Sequence, residues 1–145
     1  MYLNLSFEPL QTFLAYSTAS VVRMFGYSVT QDGFLLTTYT ENQIRQIEMS
    51  WDSTGWKSMY ALFALTIAAP ISNYQRKFKF LLAGLPLLFF LNFLRVTTTI
   101  LLSLRYGFQY FDVIHLFLWR EGLIFAVVTI WLVWLWKERY NISKR

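Results

Sequence analysis

Cysteine is absent from the 145 residues, and histidine occurs once, at His115. The first absence excludes disulfides and thiolate–metal sites, and the second excludes a histidine-rich metal centre. No metal and no cofactor is expected. Charge is scarce as well: Asp, Glu, Lys and Arg make up 14% of the chain, whereas hydrophobic residues make up 56% and aromatics 20%. A soluble domain of this size needs more charge than that to cover its surface. The segment Met1–Ser6 lacks the positive stretch that opens a secretory signal peptide. Internal repeats and low-complexity tracts are missing too. What remains is a small integral membrane protein built as one domain over residues 1–145.

The formal net charge is +5. The bases gather beside apolar runs, which fits membrane orientation rather than a nucleic-acid partner. Arg76, Lys77 and Lys79 lie in one polar connection; Lys137, Arg139, Lys144 and Arg145 lie at the end of the chain, with Glu138 the one acid among them. The positive-inside rule puts the 73–79 loop and the 137–145 tail in the cytoplasm. Asp32, Glu41, Glu48, Asp52 and Asp112 then fall on the other side.

The strong apolar runs cover residues 55–72, 80–104 and 113–136. The second is ~25 residues, about 37 Å as a helix, more than the hydrocarbon core requires. Gly84 and Pro86 lie within it as possible bends. Residues 5–25 are weaker, with Gln11, Thr12, Ser17, Thr18, Ser20 and Arg23 among apolar positions. Glu8-Pro9 suits a helix start and Gly26 a stop. This stretch can span if its polar face packs on other helices, or lie at the interface; spanning is favoured, because an even number of crossings keeps both ends inside. The long polar segment, about 27–50, has a turn signal at Asp32-Gly33, a strand candidate in Phe34–Tyr39 and a second turn at Glu41-Asn42. The period of Gln43–Met49 does not decide between strand and helical turn. The expected fold is therefore an all-α membrane protein, a bundle of about four transmembrane helices, with a small β-type extracytoplasmic insertion inside the 27–53 segment.

Charges within apolar runs are costly and need a reason. Arg95 lies deep in the second strong run, with Asn92 on the same helix face three residues earlier. Arg120 and Glu121 lie in the last run, where pairing that only fixes packing is one explanation. Ser53 stands at the outer end of the first strong run, and His115 at the outer end of the last. Ser53, His115, Arg95 and Arg120 can thus converge in the outer half of the bilayer. A nucleophile, a base and fixed positive charge are what acyl transfer requires. Each has a plainer reading: His115 as an interfacial residue, and Asp52, Ser53 or Thr54 as a helix cap.

Asp52-Ser53-Thr54-Gly55-Trp56-Lys57-Ser58, then Leu91-Asn92-Phe93-Leu94-Arg95, then His115 ahead of Leu118-Trp119-Arg120-Glu121-Gly122 resemble the core of the exosortase/archaeosortase family, across residues 50–136. The Trp-Arg-Glu-Gly end and the short length look more like an archaeosortase. The resemblance implies a membrane transpeptidase of the plasma membrane with its site facing outward. Such an enzyme cleaves the C-terminal sorting tail of exported surface proteins and passes them to a lipid acceptor. It implies catalytic roles for Ser53, Arg95 and His115, with Arg120 the rival for the third position, and orienting roles for Asn92, Thr54, Gly55 and Asp52. The implied partners are the sorting-signal helix and a membrane lipid.

One position departs from the family: it carries cysteine where Ser53 stands. A thiol near positive charge gives a nucleophilic thiolate near neutral pH, whereas a serine hydroxyl needs an aligned base. Arg95 stays protonated and cannot be that base. The chain is therefore expected to be an inactive Cys-to-Ser form, introduced or natural. The competing expectations are a non-catalytic protein that binds transmembrane tails, and a small transporter or lipid-handling subunit in which Arg95, Arg120 and Glu121 line a polar path.

Overall fold

The computed structural model describes residues 8–40, 43–70, 73–107 and 122–143. The protein is mostly helical, with one small sheet. Helix α1 covers Glu8–Met24; strands β1 (Ser28–Asp32), β2 (Leu35–Thr40) and β3 (Gln43–Glu48) follow. A 3-10 turn, Trp51–Thr54, leads into α2 (Trp56–Ala68). Then come α3 (Tyr74–Tyr106) and α4 (Leu123–Ser143). His115, Arg120, Glu121 and the Glu41-Asn42 turn lie outside the described residues.

Helix α1 starts at the Glu8-Pro9 signal and ends before Gly26, whose φ of 87° is a left-handed conformation. Its buried residues Gln11, Leu14, Ala15, Thr18, Ala19 and Val22 repeat at three and four, a single stripe. That stripe faces the sheet and the later half of α3, in a core with Val29, Leu36, Met49, Val96, Ile100 and Leu104. The sheet is an antiparallel meander in the order β1-β2-β3. Asp32 pairs with Leu35 across a two-residue loop. Gly33, its first position, has φ 57°, and no described residue other than glycine, Phe34 included, has positive φ, which is the pattern of a type II′ hairpin. Inward-facing Val29, Leu36 and Thr38 are buried, and Ser28, Thr30 and Tyr39 on the other face are exposed. Gln43–Glu48, undecided by its period, is a strand because its partner β2 is there to receive it: Leu35 pairs with Glu48 and Thr38 with Arg45.

Helix α3 is continuous through Pro86 for 33 residues, about 50 Å. It begins at Asn73 as cap, so the basic 74–79 stretch, expected as a loop, forms its first turns. The physical reason is tertiary pairing at that end. Lys77 is buried and donates to the Ile67 carbonyl at the end of α2 (2.8 Å), and Arg76 donates to Glu138 of α4 (2.9 Å). The end of α2, the start of α3 and the later part of α4 are thereby tied together. Leu62 of α2, Leu88 of α3 and Val127 of α4 make a second core in this half. One long helix thus carries two assemblies: a three-helix packet along its first half, and α1 with the sheet along its second.

Beyond these cores, the helices also turn large apolar side chains outward and several polar ones inward. Leu82, Phe90 and Leu94 of α3, Phe63 and Ile67 of α2, and Phe125, Leu132 and Trp136 of α4 are exposed. Asn92, Thr97, Thr99 and Ser103 are buried. A surface of that extent is stable facing lipid and not water. Among the described residues α3 is the one helix both long and apolar enough to cross a bilayer. Helix α2, with 13 residues, is about 20 Å long, shorter than a hydrocarbon core of ~30 Å.

Candidate functional site

The site sits where the two assemblies meet, midway along α3. The chain leaves β3, turns through Trp51–Thr54 and enters α2. Ser50 caps the 3-10 turn: its carbonyl accepts the Ser53 N–H at 2.9 Å, and its hydroxyl lies 3.3 Å from the same nitrogen. Thr54 Oγ1 donates to the Trp51 carbonyl at 2.7 Å. Gly55, φ 75°, joins the turn to α2 and occupies its cap position. Ser53 is therefore not the cap of α2. It is the third residue of a tight turn, 8% exposed, with its hydroxyl 2.9 Å from that of Ser50.

Asn92 holds this turn against α3. It is 1% exposed and donates through Nδ2 to the Ser53 carbonyl at 2.8 Å. A Cβ on Gly55 would lie 2.8 Å from Asn92 Cγ. Gly55 thus answers two demands, a left-handed backbone and close contact with an amide. Outside the turn, Asp52 pairs with Lys57 at 2.8 Å in an exposed ion pair, and Trp51 stacks on Trp56 with ring centres 5.8 Å apart.

Two cavities open on either side of the turn. The larger, about 360 Å³, is bordered by Arg45–Ser50 of the β3 segment, Ser53, and Val96, Thr99 and Ile100 of α3. The smaller, about 160 Å³, is bordered by Asp52, Gly55, Lys57, Ser58, Arg95, Leu123 and Ile124. The sequence-derived constellation is thus brought together in part. Asn92 meets Ser53 and Gly55, with Thr54 between them in the turn, and Arg95, one helical turn beyond Asn92, lines the smaller cavity with Gly55. Asp52 is turned outward to Lys57. His115 and Arg120 lie outside the described residues.

Three participants escaped the sequence reading. Ser50 was legible in principle, since a serine three residues before Ser53 has capping spacing. Thr99, seven residues beyond Asn92 on the same helix face, was legible from period alone. Gln11, whose amide donates to the Met49 carbonyl at 2.8 Å, bridges elements that no local signal connects.

A helical membrane protein with a small extramembrane-type sheet and a polar turn clasped against its longest helix is the class these features define. Residues 1–135 match the transmembrane exosortase family, Exosortase_EpsH, and the chain belongs to it. Members of that family are in general membrane cysteine-type transpeptidases. No curated protein and no solved structure matches the chain.

Proposed function

We propose that this chain has the architecture of an exosortase-type transpeptidase, with Ser53 at the nucleophile position and the site silenced by that serine. The observation that carries the reading is the Ser53–Gly55 turn itself. It is held by Asn92 and capped by Ser50, and it borders a cleft large enough for a peptide.

A cysteine at position 53 would attack the scissile carbonyl of a substrate tail, forming a thioester as the amine departs. The lipid acceptor would then attack the thioester and release the thiol. The Ser50 hydroxyl, 2.9 Å from Ser53 Oγ, suits a donor to a thiolate there; it is not a base, and cannot raise the reactivity of a serine. Arg95 supplies fixed positive charge beside the turn. His115, with Arg120 as rival, would move the proton between leaving amine and acceptor. Thr54, Gly55, Asn92 and Asp52 keep the turn in shape.

The same reading fixes the membrane frame. The positive-inside rule puts the basic start of α3 and the basic end of α4 in the cytoplasm. Counting from Lys79, ~20 residues of α3 cross a core of ~30 Å, so Asn92 and Arg95 fall in the outer leaflet and the sheet beyond it. The substrate tail would cross beside the packet with its basic end inside, under the same charge rule. The test is cleavage of a membrane-anchored tail by the Ser53→Cys chain beside the Ser53 chain.

A non-catalytic tail-binding protein is the second reading. It is favoured by one observation: among the described residues, Ser53 Oγ has only the Ser50 hydroxyl as partner, and a hydroxyl pair gives no general base. Binding without cleavage by the Ser53→Cys chain would select it.

A further inference from the structure

We propose that the outer edge of β3 is the docking strand for the extended segment of the substrate that precedes its hydrophobic tail, and that this segment adds to the sheet parallel to β3. The inference rests on the transpeptidase reading above and assigns where its substrate is held.

The sheet has two edges. β1 packs against α1; β3 is the other edge strand, pairing with β2 on one side while Ile47 packs inward on the α1–α3 core. Met49 donates its N–H to the Phe34 carbonyl at 2.9 Å. In an antiparallel ladder such paired positions alternate, so Ile47 and Arg45 also turn their main-chain groups to β2. Ile44 and Gln46 then direct theirs outward, a template for another strand.

Position and direction select the occupant. The cleft beside β3 is about 360 Å³, within the roughly 300–1,000 Å³ of ligand clefts. It runs to Ser53, so a strand seated there delivers its last residues to the nucleophile position. β3 itself runs from the sheet toward that turn. A substrate segment entering the membrane as a C-terminal tail runs the same way, which makes the pairing parallel. Ile47, Met49, Val96 and Ile100 offer apolar contacts to alternate side chains. Main-chain pairing also lets one cleft accept tails that differ in sequence.

The test uses the intact Ser53 chain in lipid nanodiscs. The protein has no cysteine, so Gln46→Cys gives a single exposed thiol. The probe is a synthetic peptide of eight residues, a Leu/Ala helix of about 20 residues and an Arg-Arg-Lys end. The eight residues are chosen from a randomised library by binding to the Ser53 chain. One cysteine is walked through those eight positions. Disulfide capture should peak at every second position, because only one face of an added strand meets Gln46. Thr30→Cys, in the same cross-strand row on the opposite edge, should capture none. Gln46→Pro removes an outward N–H and leaves the β2 ladder intact. It should weaken binding about five- to tenfold, the effect of one hydrogen bond, with Gln46→Ala unchanged. Capture with a period of three to four, capture without period, or equal capture by Thr30→Cys overturns the docking strand. If the Ser53→Cys chain still cleaves the probe, the transpeptidase reading survives that loss. Period-two capture without cleavage keeps the docking strand and removes the transpeptidase. A library that yields no binder overturns both.

Discussion

Gly55→Ala tests whether the turn is clasped as described. Two costs add. An alanine held at φ 75° loses about 1–2 kcal/mol for the left-handed conformation. Its Cβ would then meet Asn92 Cγ at 2.8 Å and Oδ1 at 3.1 Å, so the amide must move. Moving it breaks the Asn92–Ser53 hydrogen bond, and a buried carbonyl left unpaired costs about 1–3 kcal/mol. The expected total is about 2–5 kcal/mol. Gly26→Ala is the control: φ is 87° but nothing lies within 4 Å of the added carbon, so only the backbone cost of about 1–2 kcal/mol applies. Asn92→Ala removes the atoms that clash while leaving its own Cβ at 3.2 Å. The Gly55→Ala/Asn92→Ala pair should therefore be less destabilised than the sum of the singles, by about 1–2 kcal/mol. Denaturant midpoints in detergent micelles measure all four chains. Equal costs for Gly55→Ala and Gly26→Ala, with additive behaviour toward Asn92→Ala, would refute the clasp.

Four further outcomes are expected. Arg76→Ala leaves the Glu138 carboxylate, 8% exposed, without its partner and should cost about 1–3 kcal/mol, since Arg76 is itself partly solvated. Lys57→Ala breaks an exposed pair and should cost under about 1 kcal/mol by the same unfolding assay. Leu62→Ala, at a fully buried position between α2, α3 and α4, should cost about 2–5 kcal/mol as an unfilled cavity. In the Ser53→Cys background, Ser50→Ala should raise the thiol pKa, read from the pH dependence of alkylation, because a donor to the thiolate is lost; an unchanged profile would remove Ser50 from the site.

The elements were legible where local chemistry decides them. Glu8-Pro9, Gly26, Asp32-Gly33 and Phe34–Tyr39 each carry a residue whose backbone preference sets the outcome, and the helix, hairpin and strand follow. Gln43–Glu48 was not decided, because its strand state comes from pairing with β2. The 74–79 turns of α3 read as a loop, because the hydropathy of Arg76, Lys77 and Lys79 conceals partners 10 and 62 residues away. At the site, Asn92 was found because a polar residue in an apolar run must face inward. Its target, the Ser53 carbonyl, was not legible, since main-chain acceptors leave no mark on sequence. The same limit hid the separation of Ser53 and Arg95 into cavities on opposite sides of Gly55, which depends on how a four-residue turn is seated.

On the proposed function, this fold cleaves membrane tails once a thiol replaces the Ser53 hydroxyl. Purified Ser53 and Ser53→Cys chains, reconstituted in lipid with a tail-bearing substrate, answer it through mass spectrometry of the released tail. Release is expected from the Ser53→Cys chain, none from the Ser53 chain, and loss of release on adding Arg95→Gln. Release by both chains would contradict the silenced site and make Ser53 itself the nucleophile; release by neither, with the tail still bound, would contradict the enzyme altogether.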